Sequence, residues 1–160
     1  MKQLFLILLP VLLGVVSCTG PSTVPEQNKK IVQRYYTEVW NQGKLDVLDS
    51  LLDKRYINHT PSTPNPPLGP DGLKPIVAAI RKAFPDLHYE IKDIVVNDSM
   101  AVVRMVMTGT QLDSLFDLPA TGRKIRVNQI NIEKIRNGQI VEHWRVTDEL
   151  TLMKQLGCVK

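Results

Sequence analysis

Asn137-Gly138 restricts the fold of this chain more than any other feature. An Asn-Gly pair between two runs rich in β-branched residues is the strongest short-range signal for a two-residue hairpin turn, because both positions accept positive φ. It makes antiparallel neighbours of 124–136 and 139–148, with Arg136 opposite Gln139. Counting outward from the turn, one face collects Ile140, Glu142, Trp144, Val146 and Asp148. Ile135, Glu133, Asn131, Gln129 and Val127 lie across from them. The other face collects Val141, His143 and Arg145 with Lys134, Ile132, Ile130 and Asn128. Carboxylates, carboxamides and an indole share the first face with aliphatic residues, as in the wall of a pocket. A carboxylate at the strand end, walled by apolar side chains, is poorly solvated, and its pKa rises towards that of a useful base. Asp148 is therefore the candidate catalytic residue. The competing arrangement solvates this face and makes the opposite one core; His143 and Arg145 there argue against it.

The rest of the chain supplies helices first and strands afterwards. Apolar residues at three- and four-residue steps predict a helix over 28–42, stopped by Gly43, and a short one over 45–53. An extended piece at 56–59 leads into 60–70, where five prolines exclude helix and suit a rim or lid. Asp71-Gly72 opens a third helix that Pro85 ends. Strands follow over 87–96, with a phase slip at Lys92–Asp93 that signals a bulge, and over 100–110 after a turn at Asn97-Asp98. A crossing loop over 111–122, the hairpin and a last helix over 149–156 complete one α+β domain.

The N-terminus reads separately. Lys2, the apolar run Leu4 to Val16 and the small residue Ser17 before Cys18 have the form of a signal segment. The apolar run falls short of the about 20 residues a spanning helix needs. Val15-Val16-Ser17-Cys18 resembles a bacterial lipobox. It implies a signal peptide over 1–17, a lipid on Cys18, a flexible tether over 18–27 and a folded domain over 28–157. The alternative is a secretory signal cut elsewhere, with Cys18 incidental. On the lipobox reading the protein sits in the cell envelope and meets the membrane only through that lipid. Cys158 is then the one remaining cysteine, so no internal disulfide forms. The formal net charge of +4 falls by one when Lys2 leaves with the signal. That mild charge, with no basic run carrying interleaved aromatics, argues against nucleic acid as a partner.

Other chemistries find little support. His59, His88 and His143 contain no pair at ligand spacing, so no metal site is expected. There is no Gly-x-Ser-x-Gly elbow, Cys158 is terminal, and glycine-rich phosphate loops are absent.

Ile140-Val-Glu-His-Trp144, then Asp148, then Gln155-Leu-Gly157 resemble the C-terminal signature of SnoaL-like polyketide cyclases, also called ester cyclases. Trp40-Asn41-Gln-Gly43, Ile57-Asn58-His59, Ala83-Phe-Pro-Asp86, and Gly109-Thr110 leading to Pro119-Ala-Thr-Gly122 match upstream in order, so the resemblance spans 26–157. It implies a curved antiparallel sheet wrapped by N-terminal helices into a cone, and a cofactor-free intramolecular aldol reaction on a small hydrophobic substrate. Asp148 matches the acid–base position. His59 would then hydrogen-bond a substrate carbonyl, Gln129 and Asn131 would hold an oxyanion, and Trp144 would wall a planar ring. Tyr36 or Tyr35 would reach the cavity from the first helix. A homodimer across the outer sheet face also fits this fold. Gln111 departs from the histidine common in the family. Two expectations remain open for Asp148: the base, or an N-cap of the helix beginning at Glu149, which would lower its pKa. The competing function is a non-catalytic binder or carrier of a hydrophobic molecule.

Overall fold

A computed structural model describes residues 22–115 and 117–159. Its centre is the hairpin of β4 (Lys124–Arg136) and β5 (Gln139–Thr147), turned by Asn137 at φ 51° and Gly138 at φ 76°. Both positive values are what a twist-matched two-residue turn requires. β3 (Met100–Thr110) and β2 (His88–Val96) extend the sheet on one side. β1 (Leu52–Asn58) closes the other, giving the order β1-β5-β4-β3-β2. All pairings are antiparallel except β1 with β5, which is parallel.

The expected register holds for two pairs and then slips. Arg136 faces Gln139 and Ile135 faces Ile140, but Lys134 faces Glu142, so Val141 is an inserted bulge residue. Side chains alternate faces along a strand, so one inserted residue exchanges every position beyond it. Glu133 now pairs with His143, Asn131 with Arg145 and Gln129 with Thr147. Trp144 and Val146 move to the outer face with Ile132 and Ile130. The one bulge that was expected, between Ile91 and Asp93, is where the phase slip puts it.

The helices cover one face of the sheet. α1 (Val24–Arg34) begins with a capping box in which Thr23 and Glu26 exchange hydrogen bonds, four residues before the expected start. Residues 24–27, anticipated as tether, are thus helical, while Cys18 and the anticipated signal segment lie outside the described residues. α1 widens into a π-helical turn over Tyr35–Asn41, where Gln42 N–H reaches back to the Thr37 carbonyl at 3.1 Å. That turn buries Tyr35, Tyr36, Val39 and Trp40 together, with Tyr35 and Tyr36 rings edge-on at 4.9 Å. A 3₁₀ turn and α2 (Leu48–Leu51) lead into β1. α3 (Pro70–Ala83) buries Leu73, Ile76, Val77 and Ile80, and α4 (Glu149–Leu156) ends on Gly157 in the left-handed conformation. No described helix is long and apolar enough to cross a membrane.

Candidate functional site

β4 has two chemically different faces. Its odd-numbered residues Gln129, Asn131 and Glu133 are buried against the helices, whereas its even-numbered ones face outward. Glu133 is fully buried and accepts three contacts. Tyr36 Oη donates to Oε1 at 2.6 Å, and His143 Nδ1 lies 2.9 Å from Oε1 and 3.1 Å from Oε2. With a carboxylate on that side, the imidazole carries its proton on Nδ1 and keeps Nε2 as an acceptor. Of the pair, only His143 retains exposed surface, 8% of its side chain against none for Glu133.

Around this pair the polar groups are only partly satisfied. Asn131 Nδ2 donates to Met105 Sδ at 3.2 Å, and Gln129 Nε2 to Met107 Sδ at 3.5 Å. Thioethers are weak acceptors. Asn131 Oδ1 and Tyr56 Oη are buried without a partner. Turning the Asn131 amide over only moves the vacancy to its nitrogen. Burial, followed by the Glu133 carboxylate, holds the Tyr36 phenol well above its ordinary pKa. Burial likewise raises Tyr56 and pushes Tyr89 up to about 12, so these phenols remain neutral donors near neutral pH.

A cavity of about 290 Å³ opens between the proline-rich loop and α4. Tyr89, Met107, Gln129, Arg145 and Thr147 line its sheet side, and Phe84 and Leu152 close it from the helices. Arg145 ties the rim to the sheet: its backbone N–H donates to Thr60 Oγ1 at 2.9 Å and its guanidinium to Ser62 Oγ at 3.2 Å. The 60–70 loop thus forms part of the rim.

The predicted site residues divide between the two faces. Tyr36, Gln129 and Asn131 lie on the helix-covered face, although Tyr36 spends its hydroxyl on Glu133. The Val141 bulge places His59 and Trp144 outside, where their rings stack at 4.4 Å and 7°. There His59 Nε2 meets Glu142 Oε2 at 2.9 Å, and Lys134 Nζ meets Glu142 Oε1 at 2.6 Å. Asp148 is also corrected. It is exposed, and its carboxylate accepts the Thr151 N–H at 3.1 Å as the N-cap of α4. Hydrogen bonds from Thr151 hold its pKa below the usual aspartate value, the reverse of the shift expected in an apolar pocket. Gln111 is fully buried and clamps the crossing loop, accepting from Thr121 Oγ1 at 2.7 Å and donating to the Pro119 carbonyl at 3.3 Å. Sequence reasoning assigned no site role to Glu133, His143 or Arg145. The adjacent apolar pair Ile140-Val141, a break in alternation like the one at Lys92–Asp93, was the available signal. Among the described residues, no group of three or more His, Cys, Asp or Glu side chains is placed to hold a metal ion.

The model of the family described as SnoaL-like polyketide cyclase matches residues 30–156. The chain belongs to the SnoaL-like polyketide cyclase family. One relative is the aklanonic acid methyl ester cyclase DnrD of Streptomyces peucetius, 29% identical over 126 residues covering 78% of this chain and 87% of DnrD. Among solved structures, TsrD from Streptomyces laurentii superposes with a TM-score of 0.76 at 28% identity, covering 83% of this chain and 96% of TsrD. IdmH from Streptomyces antibioticus gives 0.70 at 30% identity, covering 82% of this chain and 99% of IdmH. The α+β architecture is thus that of SnoaL-like proteins, and the Val141 bulge decides which side chains its covered face presents.

Proposed function

We propose that this SnoaL-like protein performs cofactor-independent acid–base chemistry beside a carbonyl of a small, mostly apolar molecule, with His143 as the proton-transfer group. The observation that carries this reading is the buried Glu133 carboxylate holding His143 Nδ1 at 2.9 Å and Tyr36 Oη at 2.6 Å. Such an acceptor fixes the tautomer and orientation of the ring and stabilises the imidazolium once it forms. Nε2 would remove a proton from a carbon between carbonyls, and the enolate carbon would attack a neighbouring carbonyl to form the new C–C bond. The imidazolium would then return the proton to the resulting alkoxide, so no external reductant, oxidant or metal enters. Gln129 and Asn131 supply neutral carboxamide donors for the developing charge.

The test uses aklanonic acid methyl ester, the compound in the relatives' names. Wild-type protein is expected to close its ring, and His143→Gln to lower the rate about 10²–10⁴-fold, as for loss of a positioned acid–base group. Asp148→Asn, which keeps an oxygen to cap α4, is expected to retain turnover. The opposite pattern would return the base to Asp148. A second reading, a carrier, is favoured by the outward Asp148; binding of the ester without turnover by the wild type would establish it.

We further propose that the domain is tethered to the cell envelope by a lipid on Cys18, on the strength of Val15-Val16-Ser17 before that cysteine. Labelling of a bacterial expression host with radioactive palmitate is expected to mark the wild type and not Cys18→Ser. An unlabelled wild type rejects the anchor.

A further inference from the structure

We propose that His59, Glu142 and Lys134 form a register lock on the outer face of the sheet, which makes His59 a positioning residue for His143. The inference rests on the acid–base reading above and names what keeps that imidazole turned towards Glu133.

Two registers compete for β5. Without an extra residue at Val141, Lys134 would face Val141 and Glu133 would face Glu142, setting two carboxylates opposite each other on the covered side. His143 and Arg145 would then point outward, and Trp144 and Val146 inward. Apolar burial does not reject that arrangement. In the observed register Val146 stays 71% exposed and Trp144 is only half-buried, so the slipped strand would cover more apolar surface. What the bulge gains is charge pairing. It moves Glu142 from opposite Glu133 to opposite Lys134, whose Nζ meets Oε1 at 2.6 Å, and it leaves Glu133 to His143.

His59 carries the same carboxylate across to a third strand. Its Nε2 meets Glu142 Oε2 at 2.9 Å, and its ring lies flat on Trp144, 4.4 Å between centroids and 7° between planes. Its backbone N–H donates to the His143 carbonyl at 2.9 Å. One residue therefore grips the consecutive positions Glu142, His143 and Trp144. The grip falls where the ladder is most irregular. β5 has its inserted residue just before Glu142, and the pairing of β1 with β5 shifts between Leu52 and Ile57. The Lys134 ammonium, and after it the His59 imidazole, hold the Glu142 carboxyl below its usual range, as expected of an acceptor shared by two donors. Partly exposed pairs of this kind are weak one at a time. Linked across three strands, they act together on a choice that apolar burial leaves open.

Proton NMR of protein carrying isotope-labelled histidine reads the placement of His143, whether or not a substrate turns over. The wild type is expected to show a low-field Nδ1–H resonance, assigned by its loss in His143→Gln. His59→Ala combined with Glu142→Gln removes the grip and also the carboxylate that opposes Glu133 in the other register. That protein should lose about half or more of the resonance intensity. Turnover of aklanonic acid methyl ester should fall in proportion at unchanged KM, because slipped molecules are inactive and the remainder are intact. His59→Gln, which keeps a donor for Glu142, should retain most of the signal. Gly122→Ala, in the crossing loop, controls for lost stability and should keep both signal and turnover. If the double variant does not fold, His59→Ala alone carries the test, with a smaller loss expected. Full resonance intensity in the folded variant overturns the lock, and so does a loss that Gly122→Ala reproduces. Absence of the resonance from the wild type rejects the contact between Glu133 and His143, and the lock with it. The expected resonances in a wild type that does not turn over the ester leave the lock standing and count against the acid–base reading alone.

Discussion

Glu133→Ala is expected to destabilise the domain by about 4 kcal/mol, since it orphans two buried donors and opens a cavity. Tyr36 Oη and the Nδ1–H of His143 both end on this one carboxylate, and no water reaches it. Each orphaned donor costs about 1–3 kcal/mol. Set against a typical stability of about 5–15 kcal/mol, such a loss is visible as a large fall in the urea midpoint. Glu133→Gln separates the structural from the chemical contribution. Its amide oxygen still accepts from Tyr36, but its NH₂ group would face the His143 N–H, so the imidazole must turn or exchange tautomers to avoid two opposed donors. The Gln variant should thus lose far less stability than the Ala variant, yet lose turnover with it. Equal stability of Glu133→Ala and wild type would mean that the buried network is not formed in solution.

The sequence made the fold legible where signals were local. Asn137-Gly138 announced its turn, the Lys92–Asp93 phase slip its bulge, and Asp71-Gly72 the opening turn of α3. Gln129, Asn131 and Glu133 share a face because β4 alternates without interruption over its length. The site was less legible because β5 is interrupted. Val141 satisfies the apolar pattern on either face, so hydrophobicity cannot decide whether it pairs or bulges. A register counted outward from the turn carries that single error through every later residue. It set Trp144 where His143 belongs and turned Asp148 inward, whereas Asp148 is exposed. His143 and Arg145 on the supposed outer face, opposite Ile130 and Ile132, were the inconsistency that marked the slip. The start of α1 was missed for another reason. Thr23 and Glu26 form a capping box within a Pro- and Thr-containing segment whose composition reads as a tether.

Gly72→Ala is expected to cost about 3 kcal/mol or more, although Gly72 lies in an ordinary helical conformation. A Cβ there would stand 1.8 Å from the carbonyl oxygen of Pro67 and 2.8 Å from its carbon. These are backbone atoms of a proline-rich segment, which cannot yield as a flexible side chain would. The loop is also fastened nearby, where Gly69 N–H donates to the Tyr56 carbonyl at 2.9 Å. Gly122 provides the comparison. It has φ 67°, but nothing lies within 4 Å of its Cβ position, so alanine there meets only the backbone penalty of about 1–2 kcal/mol. Close approach should therefore outweigh positive φ, with Gly72→Ala melting well below Gly122→Ala. The loop's other end carries the consequence to the cavity, because Thr60 and Ser62 hold Arg145. Displacing residues 66–68 is expected to loosen that end along with the stability of the domain. A Gly72→Ala protein that melts with the wild type would show that the loop does not pack on α3 as described. The rim's hold on Arg145 would then need another source.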